Sequence, residues 1–202
     1  LNRAGISTEN WHIKQDGSEV IRFKSNPNYC YNWSFGTDKG FALCVWHDTL
    51  QIKDENIVFS ENLRELSHDL KKLADKSEDS KQRSRANNQS LRAANFDAAV
   101  KTSFLKGLPV TIIINIGNRR QREELGENAS ESLERLLDPV KWYVQQYDQK
   151  TGDAILVRGV NPYNTDENIK VPDEELDGPP DSIQLRAIGI RRGQHKFRQS
   201  LL

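Results

Sequence analysis

Apolar and polar residues alternate along the first third of the chain, which predicts β-structure. In residues 29–35, Tyr29, Tyr31, Trp33 and Phe35 fall on one face of a strand and smaller or polar side chains on the other. Glycines and an Asn-Pro-Asn turn separate this run from others of the same kind. We therefore predict an aromatic-rich, antiparallel N-terminal meander with strands at 18–25, 29–35, 41–47 (continuing weakly to Lys53) and 56–59.

The pattern then changes to helical spacing. Leucines at 63, 66, 70 and 73 form one stripe, and Ser60 is the predicted N-cap. A second helix is predicted over 89–105 and ends at Gly107. Residues 77–90 carry no apolar side chain except Ala86. That stretch is either a mobile loop or the solvated middle of one long helix.

The second half of the chain mixes both patterns. The apolar run 110–116 predicts a central strand that is buried on both faces. A short helix is predicted at 129–137, and a hairpin at 140–147 and 154–160. The fold class is therefore α+β. It has an aromatic-rich antiparallel N-terminal sheet, or a partly closed barrel, with two or three packed helices.

Composition restricts the class of protein. The chain has 202 residues, net charge zero and a mean hydropathy of −0.75. No apolar run is long enough to cross a membrane, and no secretory leader is recognisable. Two cysteines are too few for a disulfide scaffold, so we predict a cytoplasmic, reduced protein. Because the chain contains no methionine and ends on two leucines, we expect a fragment of a longer protein.

Charge is segregated although the total is zero. Basic residues cluster at 81–106, 119–122 and 186–198, whereas 123–138 and 165–181 are acidic. Each block alone is typical of a solvated surface, but three basic clusters in one small domain favour a polyanionic partner. The predicted contacts with a DNA backbone are Arg83, Arg85, Arg92, Arg119, Arg120, Arg191 and Arg192.

The N-terminal aromatic residues have two interpretations. Aromatic side chains borne on strands usually form core. Tryptophans on adjacent strands, next to loops rich in Asn and Asp, could instead stack on both faces of an extruded base. The predicted base pocket consists of Trp33, Trp46 and Tyr31.

Catalytic and metal signatures are incomplete. Cys30, Cys44 and His47 could approach one another on neighbouring strands, but no fourth zinc ligand is evident. A carboxylate-type nuclease site could use Asp48, or Asp38, with Lys53, although the usual acid before the lysine is missing. We therefore predict no catalytic residue, no metal ligand and no cofactor in this fragment.

The C-terminal tail resembles a segment of known enzymes. Gly193-Gln194, Phe197-Arg198 and Leu201-Leu202 resemble the helix start just upstream of the HNH nuclease domain in many bacterial restriction endonucleases. The hairpin from Pro139 to Val160 resembles, less distinctively, the specificity regions of such proteins. No HNH catalytic residue can be carried over, because those residues would lie beyond Leu202.

The resemblance implies a target-recognition domain of an HNH-family restriction endonuclease, of the modification-dependent, McrA-like kind. Its partner would be double-stranded DNA with a modified base, without any membrane, and the full-length protein could be a homodimer. A divalent metal would belong to the missing nuclease domain. Domains of this kind include SRA and PUA-like barrels, which flip a base between aromatic side chains. The predicted organisation is a DNA-recognition domain at 1–160, an acidic, proline-rich linker or wrapped loop at 161–181, and a basic segment at 182–202 that leads to the nuclease.

Two alternatives stay open. The chain could itself be a metal-dependent nuclease that uses Asp48 and Lys53, or it could be a protein-interaction module without a nucleic-acid role. Metal-dependent cleavage would favour the first, and absence of salt-sensitive DNA binding would favour the second.

Overall fold

A computed structural model describes residues 1–14, 17–21, 26, 29–120 and 130–162. Two α-helices and eight strands are described. The helices are α1 (Leu63–Lys76) and α2 (Ser80–Lys106). The strands are β1 (Ser34–Thr37), β2 (Gly40–Trp46), β3 (Leu50–Lys53), β4 (Asn56–Phe59), β5 (Val110–Asn118), β6 (Glu131–Leu137), β7 (Trp142–Tyr147) and β8 (Ala154–Arg158).

All eight strands belong to one mixed sheet, which makes the fold α+β as predicted. The strand order is β1-β2-β5-β7-β8-β4-β3, and β6 pairs with β5 beside this path. The predicted antiparallel N-terminal meander is wrong, because β2 runs parallel to β5 and β4 pairs with β8. Within the described residues β1 and β3 do not pair, so the sheet is open and gives no support to a barrel.

The helices form the crossover that a parallel pair requires. Because β2 and β5 point the same way, the chain must return across the sheet between them. β3, β4, α1 and α2 fill that connection, and α2 contacts β1, β2 and β7. The helices approach closely because small residues meet between them: the Ser67 hydroxyl donates to the Ser90 carbonyl at 2.9 Å, and the Ser90 hydroxyl to the Ser67 carbonyl at 2.8 Å.

Both predicted helices exist, with different ends. The N-cap of α1 is Asn62 rather than the predicted Ser60, because the Asn62 side chain accepts from the Glu65 N–H. The polar stretch 77–90 is not a mobile loop. From Ser80 onward it is helical, as the second alternative predicted, but it forms the first half of the long helix α2, capped by Asp79, rather than the middle of one helix. Apolar periodicity is weak there because the buried positions of this part of α2 are the small residues Ala86 and Ser90.

The aromatic run 29–35 is mostly not a strand, which corrects the prediction. The N–H groups of Tyr29 and Cys30 both donate to the Asn26 carbonyl, and this turn prevents extension until β1 begins. Tyr29 stacks on Trp11 with ring centroids 4.7 Å apart. In the predicted strand 18–25, the described part 18–21 makes one isolated bridge, between Glu19 and Ile13, and 22–25 lie outside the described residues.

The predicted helix 129–137 is a strand. Its leucines have helical spacing, but a helix of two turns is marginal without tertiary support. As β6 the segment instead pairs with the outer part of β5, from Ile113↔Leu137 to Asn118↔Glu131. Gly117 makes the bulge in this pair possible, since its φ is +148° and a Cβ there would collide with the Glu131 carbonyl.

The strands 41–47, 56–59 and 110–116 and the hairpin 140–147/154–160 are confirmed as β2, β4, β5 and β7–β8. The weak continuation to Lys53 is instead the separate strand β3, which follows a short 3-10 turn at His47–Thr49.

The chain divides into two compact units, Leu1–Val160 and Asn161–Leu202. In the second unit only Asn161 and Pro162 are described. The predicted linker, the basic tail with Arg191 and Arg192, and the HNH-like motif therefore lie outside the described residues, apart from the first two linker positions. Neither helix of the described part is apolar enough to cross a membrane.

A buried carboxylate fixes the start of β7. Asp138 accepts from the Trp142 indole N–H at 2.9 Å, from the Val140 N–H at 2.9 Å, and from both Nε and Nη2 of Arg158, at 2.7 and 3.0 Å. Burial alone would raise the pKa of the Asp138 carboxyl, but these hydrogen bonds and the Arg158 charge outweigh it, so the pKa lies below its ordinary value.

We expect Asp138→Asn to lower the free energy of unfolding at pH 7 by about 2–3 kcal/mol, because Trp142 and Arg158 lose a charged partner. Because the carboxyl pKa is lower in the folded than in the unfolded state, the ionised carboxylate stabilises the fold at pH values above the unfolded pKa of about 4. This stabilisation is lost as the pH falls through the folded pKa. The difference between variant and wild type should therefore shrink below pH 4. Urea unfolding at pH 7 and pH 3 measures this, and a pH-independent difference would contradict it.

Candidate functional site

A cavity of ≈ 510 Å³ opens at the carboxyl ends of the parallel strands β2 and β5. Ligands commonly bind at this edge of α/β sheets, where adjacent strand ends and loops converge. Segments from the whole first unit line the cavity: residues 30–33, the ends of β2, β4 and β5, the start of α1, the middle of α2, and β6. Its volume lies within the roughly 300–1,000 Å³ range of small-molecule sites.

Aromatic rings form much of the cavity wall. Phe59 and Phe96 are buried, with ring centroids 5.9 Å apart, and they make a rigid apolar surface. Trp33 and Trp46 are half-buried, and Tyr31 is exposed at the rim. The rings of these three residues therefore keep surface that a planar ligand can cover.

The strand geometry explains why the two tryptophans share the cavity. The Cys44 N–H donates to the Trp33 carbonyl at 2.8 Å, so Trp33 lies opposite Cys44, two residues before Trp46. The Thr49 hydroxyl donates to the Trp46 carbonyl at 2.7 Å and fixes the 3-10 turn that follows. Trp46 pairs in register with Asn115 of β5, which also lines the cavity.

Four arginines line the cavity, and their guanidinium groups have different surroundings. Arg119 is held between two acids: its Nη1 lies 2.8 Å from Glu61 Oε1, and its Nε lies 3.3 Å from Asp48 Oδ2. Arg135 donates to the Cys30 carbonyl at 3.1 Å, and the Arg120 backbone N–H donates to the Ser130 hydroxyl.

Arg92, the fourth arginine, has no carboxylate partner among the described residues. Its guanidinium carbon lies 5.6 Å from the centroid of the Tyr31 ring. Burial lowers the pKa of Arg92, against a smaller opposing effect of Tyr31. The cation–π contact compensates part of the desolvation of this charge.

Two amide side chains complete the wall. Asn115 is only 8% exposed, and its Oδ1 is buried without a hydrogen-bond partner among the described residues. Gln89 lies one turn before Arg92 on α2, and its Oε1 is also buried without a hydrogen-bond partner among the described residues. Unpartnered buried polar atoms are uncommon in folded proteins. Arg119 Nε is a further one beside this cavity, so acceptors and a donor both lack hydrogen bonds there.

The structure brings together six of the predicted site residues. Tyr31, Trp33, Trp46, Arg92, Arg119 and Arg120 all line the cavity.

Two predicted DNA contacts lie elsewhere on α2. Arg83 donates through Nε and Nη2 to the Ser77 carbonyl and so caps the end of α1. Arg85 is exposed one turn before Gln89, on the side of α2 that leads to the cavity.

Sequence reasoning missed Glu61, Gln89, Asn115 and Arg135. Asn115 carried a usable signal, because a lone polar residue inside the apolar run 110–116 needs a reason to be buried. Arg135 was missed because residues 129–137 were predicted to form a helix, whereas Arg135 lies on the strand β6. Glu61 and Gln89 carried no signal, since their neighbours in the cavity come from distant parts of the chain.

Of the residues weighed for metal chemistry, Cys30 and Cys44 line the cavity, whereas Asp38 lies in the turn between β1 and β2 and Lys53 at the end of β3. Asp48 pairs with Arg119, and His47 is exposed. Among the described residues no group of three or more His, Cys, Asp or Glu side chains is placed to hold a metal ion. The chain matches no protein-family model, no curated protein and no solved structure.

Cys44 provides a chemical probe of the cavity wall. Burial raises the pKa of its thiol to about 11, although Arg135 and the chain's amino terminus act in the opposite direction. We expect Cys44 in a Cys30→Ser variant to react with iodoacetamide at pH 8 about two orders of magnitude more slowly than in urea, because so little thiolate is present. The rate should rise about tenfold per pH unit up to pH 10. Equal rates in the native and unfolded states would contradict this.

Proposed function

We propose that the protein binds duplex DNA and receives one base, turned out of the helix, in the cavity. The observation that carries the proposal is the convergence of Trp33, Trp46 and Tyr31 with Arg92 and Arg120 around one opening. The sequence predicts the tryptophans as stacking groups and the arginines as charged contacts, and a flipped nucleotide needs both stacking and charge. An aromatic wall stacks on the base, and cationic side chains meet its phosphates.

The half-buried state of the tryptophans supports this role. A ring in the core would be fully covered, as Trp142 is at 0% exposure. Trp33 and Trp46 instead keep part of their surface available beside an opening of sufficient size. The buried amides of Gln89 and Asn115 supply the polar groups that the edge of a base requires.

Not every arginine that the sequence predicted as a contact of the DNA backbone is equally placed for that role. Arg119 is already paired with two carboxylates, and Arg83 is occupied by the Ser77 carbonyl. The remaining arginines also make contacts within the fold, so the assignment rests on position. We assign phosphate contacts to Arg85, exposed near the cavity on α2, and to the cavity-lining Arg92, Arg120 and Arg135. The basic tail with Arg191 and Arg192 stays a predicted contributor.

In this proposal the chain supplies target specificity to an HNH nuclease domain of a restriction endonuclease, as the resemblance of residues 193–202 implies. A modified base would be the target, as in the base-flipping SRA proteins. The rival nuclease site gains no support from the geometry, because the Asp48 carboxylate is engaged by Arg119 and Lys53 is exposed at the end of an outermost strand.

The stacking role is tested with Trp33→Ala and Trp46→Ala, using Trp11→Ala as the matched control. Trp11 is half-buried and stacked on Tyr29, but it does not line the cavity. Loss of one stacking partner should weaken binding to a duplex with one mismatched base pair by about 1–3 kcal/mol, and Trp11→Ala should leave it within about twofold. Fluorescence anisotropy and thermal melts on the same samples separate lost affinity from lost fold. Equal losses in all three variants would refute the pocket.

The backbone role predicts a salt dependence. If about five phosphates are neutralised, the slope of log K against log salt concentration should be about −4 to −5. Arg85→Gln should make the slope less steep by about 1, because one phosphate contact is removed. Lys72→Gln is the control, since that side chain is 72% exposed on α1, away from the cavity. A slope near zero, or equal effects of the two variants, would contradict the assignment.

A further inference from the structure

Glu61 is the one carboxylate among the described residues that line the cavity. It lies between β4 and α1, just before the N-cap Asn62. Its side chain and that of Arg119 are each 30% exposed, so their 2.8 Å contact is partly shielded from water. The guanidinium occupies Oε1, whereas Oε2 has no partner among the described residues.

Arg119 is in turn fixed from its other side. Its Nε lies 3.3 Å from Asp48 Oδ2, and Asp48 does not line the cavity. The Nη1 contact with Glu61 is a hydrogen bond, whereas the Nε contact with Asp48 is an ion pair without a hydrogen bond. The charged hydrogen bond from Arg119 therefore orients the Glu61 carboxylate. Arg119 is therefore a positioning residue.

Three hydrogen-bond acceptors of cavity-lining residues, Glu61 Oε2, Asn115 Oδ1 and Gln89 Oε1, have no partner among the described residues. A donor is open as well, because Arg119 Nε makes an ion pair with Asp48 but no hydrogen bond. The Asn115 and Gln89 oxygens are buried, whereas the Glu61 side chain is 30% exposed, so Glu61 is the acceptor most open to a ligand. A ligand that contacts Glu61 Oε2 must bring a hydrogen-bond donor.

The four bases differ at the corresponding position. Cytosine and adenine carry an exocyclic amino group, N4 or N6, where thymine and guanine carry the keto oxygen O4 or O6. An amino group would donate to the Glu61 carboxylate. A keto oxygen would place two acceptors face to face, which leaves both unsatisfied and repels the base.

We propose that the cavity selects a base with an amino group at pyrimidine C4 or purine C6, cytosine or adenine, over a base with a keto oxygen at that position, thymine or guanine. Glu61 determines the specificity, and Arg119 positions it. This inference rests on the proposed function, because it names which base enters the cavity.

The experiment uses the whole chain and duplexes in which one test base lies opposite an abasic site, so that no test base is paired. Cytosine is compared with thymine and adenine with guanine, because each comparison holds ring size constant. The wild type should bind the amino member of each pair about 10-fold or more tightly, as expected for a hydrogen bond to a charged group. Fluorescence anisotropy at one fixed salt concentration measures these affinities.

Variants assign the selectivity to Glu61. Glu61→Gln and Arg119→Met should each reduce the preference, measured as the ratio of affinities within each pair of duplexes, to within about twofold. Asp48→Asn is the matched control, since it removes a charge from the same arginine but leaves the Glu61 contact, and it should retain most of the preference. A structural defect would instead weaken binding to all duplexes alike and lower the melting temperature.

The outcomes separate the two proposals. Equal affinity for the paired bases, with binding still sensitive to Trp33→Ala, overturns the amino-group inference and leaves base insertion standing. Preference for thymine or guanine overturns the inference as well, and would mean that the amide groups of Asn115 and Gln89 present their nitrogens. Absence of DNA binding at low salt overturns both. The wild-type comparison requires no variant, so a poorly folding substitution does not obscure the result.

Discussion

The parallel pairing of β2 with β5 is the interaction on which the candidate site depends. Six consecutive registered pairs, from Phe41↔Val110 to Trp46↔Asn115, align the two strands so that their carboxyl ends lie at the same edge. An antiparallel neighbour would have placed Asn115 at the opposite end from Trp46. Parallel pairing also requires a long crossover, and α1 and α2 within it bring Glu61, Gln89 and Arg92 to the same edge.

Close approach at the start of this pair makes the alignment possible. Gly40, the first residue of β2, has φ of +142°, and a Cβ there would lie 2.7 Å from the Pro109 carbonyl oxygen. Only glycine tolerates both the backbone conformation and the contact. At the far end the bulge at Gly117 lets β5 turn, and Arg119 and Arg120 follow directly into the cavity wall. A glycine therefore lies at each end of the paired strands β2 and β5: Gly40 beside the connection from α2 to β5, and Gly117 beside the candidate site.

The sequence predicted best those elements whose stability is local or strongly patterned. The run 110–116 and the hairpin of β7 and β8 follow from hydrophobicity and turn residues alone. Pairs of strands that lie far apart in the sequence could not be predicted. β2 pairs with a strand about 70 residues later, and residues of β6 form a strand because β5 has an open edge for them to pair with. The same limit applied to the site. The residue types alone predicted Trp33, Trp46 and Arg92 as site residues. Glu61 and Gln89 could be assigned to the site only from the structure, in which the crossover brings them beside those residues.

Polar satisfaction differs between the supporting structure and the cavity. Away from the opening, the Ser103 hydroxyl is buried without a hydrogen bond among the described residues, but a larger polar network is paired. Tyr147 donates to Asp97 at 2.7 Å, and Arg64 contacts both, which joins α1, α2 and β7. Beside the cavity, by contrast, Asn115 and Gln89 keep unpartnered buried acceptors. Gln89, Asn115 and Arg119, which all line one aromatic-walled cavity, thus have buried polar atoms without hydrogen bonds. The fold gives up stability there, where a ligand can restore it.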